Sequence, residues 1–396
     1  MASSKRNKQL HIDREAVSAL ALVKAGLLQP VTSIMNKQQS IEVLTTGQIN
    51  GKTFPFPFIL APSGRTNHII LNEVQKDDVL DLICEGQQVG VLTVDEVFEI
   101  NPKERLRQIY GTDDLAHPGA AATFARLGKL AISGEYDIST SHYDQLRTRI
   151  QEAISLVNAK HTTAIMMAAN PLHRAHERLI RQSLDKTDLI VIFLLKPYNK
   201  ADLHYDIREH TLEYFIENFL PTNRVVVVPL ENSYIFAGHN EVIIDAIVAK
   251  NFNFNRLMIG QNHTGMGMYY DRNANHSVVD RLINTNIEVE IASEYVYCNE
   301  CKTLVSTKTC PHGHHHHISY HSDSILALMK TGILPPAVLV RKEISAIILT
   351  KLYPERFKNL EKLYYDILPI TGLLEEHTEK DFYIELMKLY QTTSLT

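Results

Sequence analysis

From residue 160 to about 295, short apolar runs alternate with segments of helical periodicity, and no other feature of the chain restricts its fold as strongly. The runs 162–167, 189–195, 225–228, 257–259 and 287–291 read as strands. The segments 171–184, 206–219, 239–250 and 276–284 read as helices. Parallel neighbours need a crossover connection, which a helix supplies, so this alternation predicts an α/β fold with a parallel sheet wrapped by helices. Ligands of such sheets bind beyond the carboxyl ends of the strands. That singles out the loops 168–170 and 260–265, each of which follows a strand directly.

The first of these loops opens Asn170-Pro171-Leu172-His173-Arg174-Ala175-His176-Glu177. Asparagine is a favoured N-cap and proline a favoured first helical residue, so the helix is expected to begin at Asn170 and Pro171. His173 and His176, three residues apart, then share one helix face. A helix N-terminus with two imidazoles beside it suits a polyanionic phosphate: the backbone N–H groups and the dipole favour the anion, and the imidazoles donate to its oxygens. The pattern points to nucleotidyl transfer from an ATP-like donor. With 19 histidines in the chain, two at this spacing also arise by chance. The preceding strand and the cap-and-proline pair are what favour a site.

The flanking regions differ in pattern. Residues 1–155 carry short runs broken by turn residues, such as 54–60 and 88–94, and read as a mostly β domain with a few helices, one at 14–25. A helix at 144–160 leads into the α/β domain, 156–320, and the rest, 321–396, reads as a small helical domain. A net charge of -5 leaves no electrostatic footprint for nucleic acid. No apolar run approaches the roughly 18 residues that span a bilayer, and residues 1–14 lack the apolar core of a secretory signal. A cytoplasmic protein without membrane partners is expected.

Of the four cysteines, Cys84 lies in an apolar stretch and reads as a packed thiol. The other three form Cys298-x2-Cys301-x8-Cys310, followed by His312 and a histidine run at 314–317. Thiolate and imidazole ligands in a closed set of four make a structural zinc site. A disulfide would leave one of the three cysteines over. Spacing alone does not choose the fourth ligand among the histidines. The cluster forms a knuckle at 298–317 that closes the α/β domain.

Taken with these residues, the chain resembles the ATP sulfurylase (sulfate adenylyltransferase) family over nearly its whole length. The segment from Asn170 to Glu177 is similar to the family's nucleotide-binding motif. Gly111-Thr112-Asp113-Asp114-Leu115-Ala116-His117-Pro118-Gly119 and Gly26-Leu27-Leu28-Gln29-Pro30 are similar to stretches of its N-terminal domain. Lys200 and Asp202 match a lysine–aspartate pair, Phe236-Ala237-Gly238 stands where the family has Tyr-Ala-Gly, and residues 260–265 resemble a second active-site loop. The resemblance implies a PUA-like β domain, a Rossmann-like nucleotidyltransferase domain, a small C-terminal domain and a homodimer. It implies conversion of ATP and sulfate to adenylyl sulfate and pyrophosphate, with Mg²⁺ on the phosphates. His173, His176 and Asn170 would be catalytic; Pro171, Leu172, Gly260 and His263 would join them in holding the nucleotide. The zinc-bearing members of the family imply His314 as the ligand that joins Cys298, Cys301 and Cys310.

The departures from the family pattern fall on the acceptor side. Met167-Ala168-Ala169-Asn170 stands where the family has Gln-Thr-Arg-Asn, and Gly260-Gln261-Asn262-His263 where it has Gly-Arg-Asp-His. Ile235 replaces an arginine, and a threonine–arginine pattern is replaced around Asp323 and Leu326. The acceptor pocket therefore comprises Met167, Ala169, Lys200, Gln261 and Asn262. Three readings follow: sulfate held by other donors such as Lys200, Gln261, Asn262, His263 and backbone N–H groups, a pocket rebuilt for a different acceptor, and a non-catalytic nucleotide-binding relative.

Overall fold

A computed structural model describes residues 7–196, 202–231, 239–260, 279, 282, 286–368 and 376–390. Its strands are β1 (Lys8–His11), β2 (Gln48–Ile49), β3 (Lys52–Thr53), β4 (Leu60–Pro62), β5 (Val79–Cys84), β6 (Gln87–Glu99), β7 (Leu127–Ile138), β8 (Thr162–Met167), β9 (Leu189–Lys196), β10 (Val225–Glu231), β11 (Arg256–Ile259), β12 (Glu288–Ile291), β13 (Tyr295–Cys298), β14 (Thr303–Ser306) and β15 (His317–Ile318). Helices α1 (Arg14–Lys24), α2 (Lys37–Thr46), α3 (Arg65–Glu73), α4 (Pro102–Tyr110), α5 (Pro118–Arg126) and α6 (Ser141–Val157) precede β8. Then come α7 (Arg174–Leu184), α8 (Tyr205–Phe219), α9 (His239–Asn251), α10 (Ser322–Lys330), α11 (Lys342–Leu352), α12 (Leu360–Ile367) and α13 (Glu379–Tyr390).

The chain divides into two compact units. One holds the residues up to Met166 and takes up the chain again at Val228–Ala292. Its N-terminal sheet has the order β1-β5-β6-β7-β4. The long β6–β7 pair carries the sheet, with a register shift between Val94 and Glu96. Gly134 is required there, because a Cβ would lie 1.9 Å from the Thr93 carbonyl oxygen. The region holds more helix than its sequence suggests: α3, α4 and α5 are nine residues each, too short for a clear 3.6-residue period. Of the run 54–60, only Leu60 enters a strand, β4. Pro55 and Pro57 cannot donate to a ladder, and Phe54, Phe56 and Phe58 are buried from an irregular segment instead.

The second five-stranded sheet has the order β10-β9-β8-β11-β12. β8, β11 and β12 pair in parallel, as the alternation of runs predicts. All six residues of β8 are buried, and so are the first seven of β9, which accounts for their continuous apolar runs. The second unit holds Met167–Leu194, the residues leading to Val227 and everything described from Ser293 onward. It contains α7, α8, the small β14-β13-β15 sheet and the C-terminal helices, where α11 packs against α8 and α13. The helix expected at 276–284 falls almost wholly outside the described residues.

Candidate active site

The loop after β8 begins with Ala168 and Ala169, the latter 1% exposed and at φ +46°. Asn170 follows and is joined to Pro171 by a cis peptide bond. The helix does not start here. Residues 170–172 stay outside it, His173 is its N-cap at φ -136° and ψ 171°, and α7 begins at Arg174. Asn170 is thus freed from capping and braces the loop. Its Nδ2 donates to Asp202 at 2.8 Å, and its Oδ1 accepts the Leu203 N–H at 2.9 Å. Pro171 and Leu172 are buried.

His173 and His176 lie where the motif predicts, stacked face to face with ring centroids 3.7 Å apart and planes 14° apart. His176 Nδ1 accepts the His173 N–H at 3.4 Å. His173 is buried, and its own Nδ1 has no hydrogen-bond partner among the described residues. Burial lowers the pKa of His173 well below the usual imidazole range, and the neighbouring His176 lowers it further. His176 keeps part of its surface exposed but lies deep enough among protein atoms that burial brings its pKa down to about 4. Both rings are neutral at pH 7.

Two groups near this loop escaped the sequence reading. Arg208, on α8 and 1% exposed, donates from Nη1 to the Ala168 carbonyl at 2.7 Å and from Nε to the Leu203 carbonyl at 3.1 Å. Its Nη2 is buried without a partner among the described residues. Burial lowers the Arg208 pKa, against the pull of Asp202; burial raises that of Asp202, against the pull of Arg208 and the Asn170 hydrogen bond. Arg341 is the second, and its partner is the motif's Glu177. That carboxylate accepts two hydrogen bonds from Arg341, at 3.1 and 2.7 Å, and one from Arg174 at 3.2 Å. Arg341 lies outside every motif, so only its burial beside a carboxylate reveals it.

Met167 and Ala169 are buried, and Gly260 directly follows β11. Lys200, Gln261, Asn262 and His263 lie outside the described residues. The segment 111–119 has a structural part: Gly111 ends α4 at φ +74°, and His117 caps α5 by accepting the Ala120 N–H at Nδ1.

A second group of donors gathers in the knuckle. Cys298, Cys301, Cys310 and His312 bring their ligand atoms within 4.8 Å of one another. His312 Nδ1 lies 3.4, 3.3 and 3.7 Å from the sulfurs of Cys298, Cys301 and Cys310, and the last two sulfurs are 3.9 Å apart. A tetrahedral ion with thiolate and imidazole ligands needs edges of about 3.5–3.8 Å, which these match; a disulfide would need about 2.05 Å between sulfurs. The histidine brought to the three sulfurs is His312, where the resemblance implies His314. His314 instead opens a one-turn 3₁₀ helix, His314–His316, one residue beyond Gly313. Cys84 is a buried free thiol.

The family model for ATP-sulfurylase matches residues 141–351, more than half of the chain and all of the loop, stacked histidines and knuckle just described. The chain belongs to the ATP-sulfurylase family. A PUA-like domain model matches residues 1–141. A sulfate adenylyltransferase of Chloroflexus aurantiacus is 28% identical over 353 residues, spanning 86% of this chain and 90% of the relative. The sulfate adenylyltransferase of Staphylothermus marinus is 28% identical over 348 residues, with the same two shares. Among solved structures, a hexameric APS kinase from Thiobacillus denitrificans superposes with a TM-score of 0.65 at 17% identity. That match covers 89% of this chain and 64% of the other, and it shows a shared fold. The architecture of this ATP-sulfurylase family member is therefore a PUA-like domain, a nucleotidyltransferase-like α/β core and C-terminal helices. No helix among the described residues is long and apolar enough to cross a membrane.

Proposed function

We propose that this chain is an adenylyltransferase that uses ATP with Mg²⁺ as donor and sulfate as acceptor, giving adenylyl sulfate and pyrophosphate. The observation that carries the reading is the pair of stacked imidazoles at the N-terminus of α7, with the Nδ1 of buried His173 unpartnered among the described residues. A sulfate oxygen attacks the α-phosphorus, the bond to the bridging β-phosphate oxygen breaks, and pyrophosphate carries away the electron pair. No protein nucleophile enters. The protein contributes positioning and charge stabilisation. His173 and His176 hold the phosphates, and the α7 N-terminus adds its dipole. Asn170, fixed by Asp202 and Leu203, keeps the loop in place. Zinc would be held by Cys298, Cys301, Cys310 and His312, where it staples the knuckle.

A second reading, transfer to a different acceptor, is favoured by Met167 and Ala169. A hydrogen bond to a charged group contributes roughly 1.5–3 kcal/mol. Losing three such partners costs about 5 kcal/mol after discounting non-additivity, or on the order of 10³–10⁴ in binding. Two buried apolar side chains offer a sulfate dianion nothing in return. ATP–pyrophosphate exchange with Mg²⁺, run with and without sulfate, tests both readings. Sulfate-dependent exchange that disappears in His173→Ala and His176→Ala is the expected result. ATP binding without sulfate-dependent exchange would refute sulfate as acceptor, and unchanged exchange in both variants would refute the site.

A further inference from the structure

His173 is held oddly for a residue assigned to phosphate. A buried imidazole is ordinarily oriented by a hydrogen bond at one of its nitrogens, yet its Nδ1 has no such bond among the described residues. What touches the ring is aromatic. His176 stacks on it at 3.7 Å, and Tyr320 lies against it with centroids 5.4 Å and planes 29° apart. Tyr320 is itself anchored, donating its phenol hydrogen to the Val338 carbonyl at 2.7 Å. The segment that supplies Val338 is tied to the start of α7 on either side. The Arg174 N–H donates to the Leu339 carbonyl at 3.0 Å, Arg174 Nε donates to the Ala337 carbonyl at 3.1 Å, and Arg341 grips Glu177. Tyr320 follows closely on β15, whose register against β13 sets His317 opposite Cys298. A closed circuit thus runs from His173 through Tyr320 and Val338 back to the first turn of α7.

We propose that Tyr320 is a positioning residue for His173. It fixes the plane of the imidazole by ring contact, so that Nδ1 stays available to an incoming phosphate. This division of labour suits the chemistry: a hydrogen-bonded Nδ1 would already be spent, whereas a stacked ring is oriented with Nδ1 still free. Aromatic pairs of this kind carry enough energy to shift a binding equilibrium by roughly threefold to tenfold. The functional half of the proposal rests on the reading of the histidines as a nucleotide site.

The test uses full-length protein labelled at histidine Cε1, with His173→Gln identifying the His173 resonance, and calorimetric titration with Mg-ATP. Tyr320→Leu should move the His173 signal out of its ring-current-shifted position, leave the other histidines in place and weaken ATP binding by roughly threefold to tenfold. Tyr320→Phe keeps the ring and loses only the Val338 anchor; it should move the signal part of the way and weaken binding less. If the leucine variant does not fold, Tyr320→Met, which also removes the ring, decides: wild-type shift and affinity there would overturn the proposal. A His173 signal unmoved in Tyr320→Leu would overturn it too, as would a moved signal with wild-type ATP affinity. If wild-type protein binds no ATP, the nucleotide reading fails, while the resonance still decides whether Tyr320 orients the ring.

Discussion

Two imidazoles stacked 3.7 Å apart cannot both take up a proton cheaply, and burial removes the water that would solvate the charge. The free site therefore presents neutral rings, with His176 titrating near pH 4 and His173 lower than usual. Polyphosphate reverses this balance by placing negative charge beside them. ATP binding should draw in protons above about pH 4, where the free His176 is neutral, and tighten as the pH falls. Calorimetry in two buffers of different ionisation enthalpy measures the uptake. Because ATP itself titrates, the decisive comparison is wild type against His176→Gln; equal proton counts would defeat the idea. The same shift acts on folding. The unfolded imidazole, near pKa 6.5, binds more protons than the folded one below that pH. The pair therefore costs stability progressively as the pH drops below about 6.5, and nothing above it.

At the scale of elements, the question is what fixes α7 in place. Glu177 is 5% exposed and balances two guanidinium groups, Arg341 and Arg174, and the Arg341 guanidinium carbon lies 3.7 Å from the Phe219 ring centroid on α8. Removing one partner from a buried ion pair costs about 3–5 kcal/mol, because it strands the other charge. Glu177→Gln should therefore lower the free energy of urea unfolding by about 3 kcal/mol, and Arg341→Met in the same chain should recover part of the loss. A change within about 0.5 kcal/mol, the usual range for surface substitutions, would show that the clamp bears no strain. These contacts also mark how far the sequence could be read. β8 and β9 were legible because both faces are buried and their apolar runs are unbroken. The helix start was not. Asn170 and Pro171 carry N-terminal signals that the chain spends on a loop, and the cap falls to His173. Arg208, Arg341 and Tyr320 stayed hidden because their partners are remote in sequence: Arg341 and Glu177 are 164 residues apart. Side-chain periodicity carries no information at such range.

Across the whole molecule, the two units have separate means of stability. The N-terminal sheet has its own buried residues, among them Leu80, Leu82, Leu92 and Ile132 at 0% exposure. The knuckle has little apolar core: β14 is partly exposed throughout, and β15 is two residues long. A three-stranded sheet this small, with one strand of only two residues, has little to hold it in water, so a metal ion on the four donor atoms would be what closes it. Binding a structural zinc ion supplies roughly 10–16 kcal/mol of apparent folding energy in small metal-closed modules. Fresh protein should carry about one metal ion per chain. Stripping it with a strong chelator should abolish amide exchange protection across β13–β15 and leave β5–β7 protected. Because β15 leads closely to Tyr320, the loss should spread to the His173 resonance and weaken ATP binding. His312→Ala should reproduce the loss, whereas His314→Ala should retain the metal. Metal lost from His314→Ala but kept in His312→Ala would return the fourth position to His314. Intact protection of β13–β15 in metal-free protein would show that the knuckle folds without an ion.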